Sequence, residues 1–127
     1  MGILGGIIGH ASETKLEDAQ KEVGDLLVPG EEIDAAFKLV RDMIIFTNRR
    51  LMFVDKQGLT GKKSEYHSIP YRAITHFMIE TAGTFDRDTE LKIWISGRKE
   101  PIVKEFKRGK STILLVQKAL AAYVCNK

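Results

Sequence analysis

The residue types that carry catalysis or bind metals are few in this 127-residue chain, and they are scattered. His10, His67 and His76 show no short spacing to one another or to the single cysteine, Cys125, whereas a zinc site takes its ligands in closely spaced pairs. A cysteine nucleophile needs a positioned base, and we expect Cys125 to pack inertly on the apolar face of a C-terminal helix. The sequence therefore predicts no catalytic residue, no metal, no cofactor and no enzymatic activity.

One glycine-containing segment has a superficial likeness to a phosphate-binding loop. The loop of nucleotide-binding proteins has four residues between its two glycines and joins a strand to a helix. In the segment GLTGKKS, only two residues separate Gly58 from Gly61, and strand patterns lie on both sides. We therefore interpret this segment as a hairpin turn.

The segment FTNRRLMFVDKQG carries two adjacent arginines, Arg49 and Arg50, between two strand patterns. Neighbouring strand residues face opposite sides of a sheet, so these two cations cannot form one flat anion-binding patch in an extended chain. We expect one of them to pair with a carboxylate, Asp42 or Glu80, and the turn before them to be capped by polar side chains. A contact with an anion or a partner stays open as the alternative.

Other cations are candidates for anion contact on the same grounds. Some lie near the first strand pair, and others form the basic segment that leads into the last helix. A solvated turn is the alternative for the basic segment. With the two arginines, the candidates are Lys38, Arg41, Arg49, Arg50, Lys107, Arg108 and Lys110.

Composition excludes several classes of protein. The net charge is +3 and the basic residues are interleaved with acidic ones, whereas nucleic-acid domains cluster their cations on one face; we expect no nucleic-acid partner. A single cysteine permits no intrachain disulfide, which is typical of a reducing compartment. We predict a cytoplasmic protein, with a peripheral position at the membrane as an option.

The hydrophobic pattern has period two from Glu31 to about Arg108 and is interrupted by regular turn signals. This pattern is typical of short antiparallel strands in a barrel or sandwich. The predicted strands are Ile33–Val40, Met43–Thr47, Arg50–Lys56, Lys63–Ser68, Ile74–Glu80, Glu90–Ser96 and Ile102–Phe106.

Helical periodicity appears on both sides of this region. One apolar stripe in residues 12–28 is formed by Leu16, Ala19, Val23, Leu26 and Leu27, and residues 111–125 carry a wider one. A helix with a wide apolar stripe can close the open end of a small barrel. We predict one domain over residues 1–127, with an arm at 1–11, a helix at 12–28, a barrel at 31–108 and a capping helix at 111–125.

This order of elements, together with FTNRRL, IPYRAI and DTELKIWISG, resembles the bacterial pleckstrin-homology (PH) domain family. FTNRRL is also similar to a segment of GRAM domains. The resemblance implies a mainly β fold, a seven-stranded antiparallel barrel of two bent sheets with a C-terminal capping helix. It also implies ring-like oligomers without catalytic activity. The phosphoinositide pattern of eukaryotic PH domains is not matched, because Arg49 and Arg50 are adjacent and follow the second strand.

Several strands carry apolar residues on both faces, although a one-layer barrel buries only its inner face. MIIFT and LMFV are continuous apolar runs. In ELKIWIS we expect Leu91, Ile93 and Ile95 to share one face and Trp94 to lie on the other face, beside Lys92 and Ser96. The N-terminal helix can cover part of the outer surface, and a second chain can cover the remainder. The interface candidates are Trp94, Lys92, Ile3, Leu4, Ile7, Ile8, Leu16 and Val23.

Two functions fit this pattern. The first is a self-associating module, a homo-oligomer that binds an unknown protein or peptide partner. The second is a membrane-surface adaptor that binds anionic lipid through the basic turns and the apolar arm. Salt distinguishes them, because screening weakens attachment to a charged surface but not a hydrophobic contact.

Overall fold

Seven antiparallel strands form two sheets in a computed structural model that describes residues 13–39, 42–57, 63–81, 83, 88–106 and 110–125. Within these ranges a helix precedes the strands and another follows them. The elements are α1 (Glu13–Val23), β1 (Ile33–Lys38), β2 (Asp42–Thr47), β3 (Arg50–Gln57), β4 (Lys63–Pro70), β5 (Ile74–Thr81), β6 (Thr89–Ile95), β7 (Ile102–Phe106) and α2 (Lys110–Val124).

The predicted strands and the two flanking helices are confirmed, with differences at their ends. The helix α1 ends at Val23 rather than at residue 28, and a 3-10 turn, Gly24–Leu26, follows it. Glycine has a low helix propensity, and the residue before Pro29 is restricted to extended backbone. These two effects stop the helix before the predicted end. The arm, Arg41, Lys107 and Arg108 lie outside the described residues, as does the side chain of Lys110.

The chain divides into two compact units, Met1–Pro70 and Tyr71–Lys127. In the first unit the sheet has the order β1-β2-β3-β4. One face of this sheet packs against α1, where Ala19 and Val23 form a buried cluster with Ala36, Ile45 and Met52. The residues between them in sequence, such as Ile44 and Phe46, are also buried, which explains why the MIIFT and LMFV segments are apolar without interruption.

The second unit contains the sheet β5-β6-β7 and the helix α2. Its strand β6 alternates as the period-two pattern predicts: Leu91 and Ile93 are buried, and Glu90, Lys92 and Trp94 are half-buried. Within α2 the apolar stripe is buried at Ile113 and Val116. Among the described helices, none is long and apolar enough to cross a membrane.

Candidate functional site

The turn between β2 and β3 is built by the Thr47 side chain. Its hydroxyl oxygen accepts hydrogen bonds from the backbone N–H groups of Arg49 and Arg50 at 3.0 and 2.9 Å, and the hydroxyl donates to Glu31 Oε2 at 2.7 Å. The Asn48 amide holds the adjacent segment, because it donates to the Gly30 carbonyl at 3.0 Å. The predicted capping of this turn by polar side chains is confirmed.

The Arg50 guanidinium is a structural tie within the first unit. Its Nε and Nη2 donate to the two carboxylate oxygens of Glu31 at 2.8 and 3.0 Å. The same group donates to the Leu26 carbonyl at 2.8 Å and to Ser68 Oγ at 3.1 Å. One side chain thereby joins β3 and β4 to the segment between α1 and β1.

The expected pairing of an arginine with a carboxylate is confirmed, but the two expected partners were wrong. Glu31 directly precedes β1, and Ile33 pairs with Thr47, so Glu31 lies at the same end of the sheet as Arg50. Asp42 lies at the opposite end of β2, and Glu80 pairs with Lys92 in the second unit. Proximity therefore follows the strand register.

Glu31 is a buried carboxylate kept ionised by its partners. Burial alone raises the pKa of Glu31. The hydrogen bonds from Arg50, Thr47 and the Val28 backbone N–H together lower it by a larger amount, so the pKa lies below its ordinary value. The charge of Arg50 is thus balanced within the fold. Arg49 is exposed and is the described arginine of this turn that remains accessible to an anion.

The remaining anion-contact candidates do not form a cluster with this turn where the structure describes them. Lys38 is exposed and pairs with Met43. It therefore lies at the end of β1 opposite to the turn that carries Arg49 and Arg50.

A second polar cluster holds α1 on the first sheet. Glu22 Oε2 accepts hydrogen bonds from Lys56 Nζ at 2.8 Å and from the Tyr66 hydroxyl at 2.9 Å. The hydrogen bond from Lys56 is the main cause of a lowered pKa of Glu22, against a smaller opposing effect of burial. Two interface candidates lie in the same contact, because Val23 is fully buried and Leu16 packs against the same cluster. Both side chains therefore pack within the first unit.

The second sheet presents an exposed face formed by alternate residues of its three strands. The register places His76 opposite Trp94, Met78 opposite Lys92, and Lys92 opposite Val103. We call this surface the second-sheet face, composed of His76, Met78, Glu80, Glu90, Lys92, Trp94, Val103 and Glu105.

An aromatic pair occupies one end of the second-sheet face. The rings of His76 and Trp94 are stacked with centroids 4.4 Å apart and an interplanar angle of 14°. The Thr75 hydroxyl donates to the Trp94 carbonyl at 3.2 Å and fixes the strand there. Trp94 is half-buried and His76 is exposed. The prediction that Trp94 lies on the other face of the sheet from Leu91 and Ile93 is confirmed.

Two apolar side chains flank a lysine in the middle of the second-sheet face. Met78 and Val103 are 43% and 44% exposed, and both are cross-strand neighbours of Lys92. Lys92 Nζ contacts Glu80 Oε1 at 2.8 Å, and this hydrogen bond is the main reason that the pKa of Lys92 is raised.

Three glutamates form a row across the other end of the second-sheet face. Glu80 pairs with Glu90, and Glu90 pairs with Glu105. We call these residues the glutamate row. Sequence reasoning missed it because ten and fifteen positions separate these residues, and only the strand register brings them together.

His67, His76 and Cys125 lie among the described residues, whereas His10 lies outside them. Within the described part of the chain, no three metal-ligating residues are grouped to hold an ion. The expectation that Cys125 packs on the apolar face of α2 was wrong, because Cys125 directly follows the helix and is exposed.

Comparison with known proteins gives consistent matches along the chain. The profile of the bacterial PH domain family matches residues 2–124. An uncharacterized Bacillus subtilis protein, YjqA, is 55% identical over 126 residues, which cover 98% of this chain and 99% of that protein.

Solved structures match over similar lengths. A pleckstrin-homology domain from Shewanella amazonensis has a TM-score of 0.80 at 53% identity, covering 97% of this chain and 98% of the other. A PH-domain protein of the DUF1696 family from Shewanella loihica has a TM-score of 0.73 at 51% identity, covering 86% and 92%. The expected PH-like fold is confirmed by these similarities.

Proposed function

Because this chain belongs to the bacterial PH domain family, we propose that it is a non-enzymatic interaction module that self-assembles into an oligomer and binds a protein or peptide partner. The observation that carries this proposal is the second-sheet face, where an aromatic pair adjoins exposed apolar side chains. The family resemblance favours a ring-like oligomer. A fold alone supplies no chemistry, and the described surface favours binding.

Trp94 is the proposed anchor of self-association. Tryptophan is enriched among the residues that dominate binding energy, because it buries a large apolar surface at a low cost in conformational entropy. Its stacking on His76 holds the indole in one orientation before any contact forms. A preorganised anchor loses less entropy on binding than a mobile one.

Met78 and Val103 add exposed apolar surface beside this anchor, and we propose that this surface serves the partner rather than self-association. Each leaves more than two fifths of its surface exposed, and burial of apolar surface contributes about 25 cal/mol per Å². An exposed apolar patch with a polar rim is typical of a protein–protein contact. The apolar arm is proposed to add a second contact to the oligomer that Trp94 anchors, through Ile3, Leu4, Ile7 and Ile8.

Light scattering on a sizing column, at low and high salt and with and without residues 1–9, tests this proposal. We expect a salt-resistant mass of several subunits, and a mass of 14.3 kDa for Trp94→Glu. Val28→Glu is the matched control, because Val28 is 48% exposed and lies outside the second-sheet face. This control is expected to leave the mass unchanged.

A native chain of 14.3 kDa at all salt concentrations would overturn self-assembly. The membrane-surface adaptor would then be the better account. Its mark would be binding to vesicles of anionic lipid that weakens as salt rises, since surface charge attraction is screened.

A further inference from the structure

The glutamate row places like charges directly opposite one another. Glu90 has a glutamate as its cross-strand neighbour on both sides, and like charges in such positions destabilise a sheet. Lys92 is the cation on the same face, and its Nζ is paired with Glu80. The second-sheet face therefore carries more negative than positive charge, although the whole chain has a net charge of +3.

This arrangement departs from a local rule of sheet stability, and the contact of Lys92 with Glu80 offsets the charge of one of the three glutamates. Departures of this kind are expected where a surface serves binding rather than folding. The exposed Met78 and Val103 lie on the same face as the row. Each is two residues along its strand from a glutamate of the row, Glu80 and Glu105 respectively. Carboxylates beside exposed apolar side chains form an amphipathic surface, which a plain acidic cluster does not.

We infer that the glutamate row, with Met78 and Val103, binds a basic amphipathic segment of a partner protein. Lysine or arginine side chains of the segment would pair with the row, and its apolar side chains would cover the two exposed residues. The inference rests on the proposed interaction function, and it names the chemistry of the partner.

Charge complementarity favours such a segment over the same face of a second copy. A second copy in a face-to-face contact would bring its own glutamate row against the first, and like charges brought together at an interface reduce affinity. A basic segment instead meets opposite charge. It also leaves the aromatic pair, at the other end of the second-sheet face, available for self-association.

Fluorescence anisotropy with designed peptides tests this inference. The probe is a labelled 12-residue peptide of alternating lysine and leucine, compared with a lysine–serine peptide and a glutamate–leucine peptide. The protein variants are the wild type and the triple variant Glu80→Gln, Glu90→Gln, Glu105→Gln. The control is the triple variant Glu17→Gln, Glu32→Gln, Glu65→Gln, which makes the same charge change at exposed positions of the first unit.

The row variant is expected to bind the lysine–leucine peptide about tenfold more weakly than the wild type, as the loss of three exposed ion pairs of ordinary strength would give. The control variant is expected to bind within about twofold of the wild type, because net charge alone is screened in salt. The lysine–serine and glutamate–leucine peptides are expected to bind more weakly than the lysine–leucine peptide.

Equal weakening by the row and control variants would overturn the inference, because net charge would then explain the binding. The native mass of the row variant separates this inference from self-assembly. An unchanged mass with lost peptide binding supports the inference, whereas a row variant that also falls to a monomer would place the row in the self-association contact and overturn it. A wild-type monomer with row-dependent peptide binding would refute self-assembly alone.

Discussion

The two sheets of this protein differ in how far the apolar side chains on one of their faces are buried. In the first unit, α1 covers one sheet face, and Met52 there is completely buried. In the second unit, Met78 lies on the second-sheet face and is 43% exposed. In the first unit the protein's own helix covers the sheet, and a polar cluster of Glu22, Lys56 and Tyr66 holds that helix in place.

The difference shows which apolar residues serve folding and which are available for a partner. Apolar residues on both faces of a strand do not by themselves indicate an interface, because the MIIFT and LMFV segments are satisfied within the chain. Exposure on the second-sheet face, next to a preorganised tryptophan, is the more specific sign. The following changes test this division, from the largest expected effect to the smallest.

The two methionines give the most direct contrast. Met52→Ala is expected to reduce the free energy of unfolding by about 3 kcal/mol, because it removes buried apolar surface and leaves a cavity. Met78→Ala is expected to change it by less than about 0.5 kcal/mol, as is usual at exposed sites. Urea denaturation in the Trp94→Glu background, which we expect to be monomeric, measures both effects. Similar effects of the two changes would contradict the division.

Arg50 and Arg49 provide the second contrast. Arg50→Met is expected to reduce the free energy of unfolding by about 2–3 kcal/mol, because it leaves the buried Glu31 carboxylate without its cation. Arg49→Met is expected to cost less than about 0.5 kcal/mol, since Arg49 is exposed. Thermal unfolding of both variants checks the difference, and an equally large effect at Arg49 would refute the structural assignment of Arg50.

Acid should weaken the first unit through Glu31. Its pKa in the folded protein lies below the ordinary value of 4.5, so the ionised carboxylate stabilises the fold above that pH. The contribution is lost as the pH falls from 4.5 through the lower folded-state value. Glu31→Gln is expected to unfold more easily at pH 7 and to show a shallower decline of stability below pH 4.5. A decline as steep as that of the wild type would assign the acid sensitivity to other carboxylates.

The glutamate row should show the smallest effect, with the opposite sign. Glu90→Gln is expected to raise the free energy of unfolding by about 0.2–1 kcal/mol, because it removes like charges from opposite positions on adjacent strands. Glu17→Gln is the control, because it makes the same charge change at an exposed position of α1, which has no cross-strand neighbour. A loss of stability in Glu90→Gln would mean that the row is stabilised by contacts within the fold.

Much of this fold follows from sequence alone. The period-two pattern and its turn signals predict all seven described strands, and β6 buries alternate residues as this pattern requires. The stripe through Ala19 and Val23 predicts the packing of α1. Alternation along β6 also predicts that Trp94 and Leu91 lie on different faces of the sheet.

Features that depend on strand register were not predictable in the same way. The partner of Arg50 is Glu31, nineteen positions away, and it is set by which strand ends meet at one edge. The glutamate row also depends on register, because Glu90 is the cross-strand neighbour of both Glu80 and Glu105. Local patterns carry no information about such neighbours until the pairing of strands is known.

Self-association is proposed to cover the aromatic end of the second-sheet face. Trp94 is the single tryptophan of the chain, so acrylamide quenching of its fluorescence reports on this surface directly. We would measure quenching across a dilution series in which light scattering follows the mass. We expect Trp94 to be protected from acrylamide in the assembled protein and to be quenched more strongly as the mass falls toward 14.3 kDa. Free quenching of Trp94 in an assembled particle would contradict it.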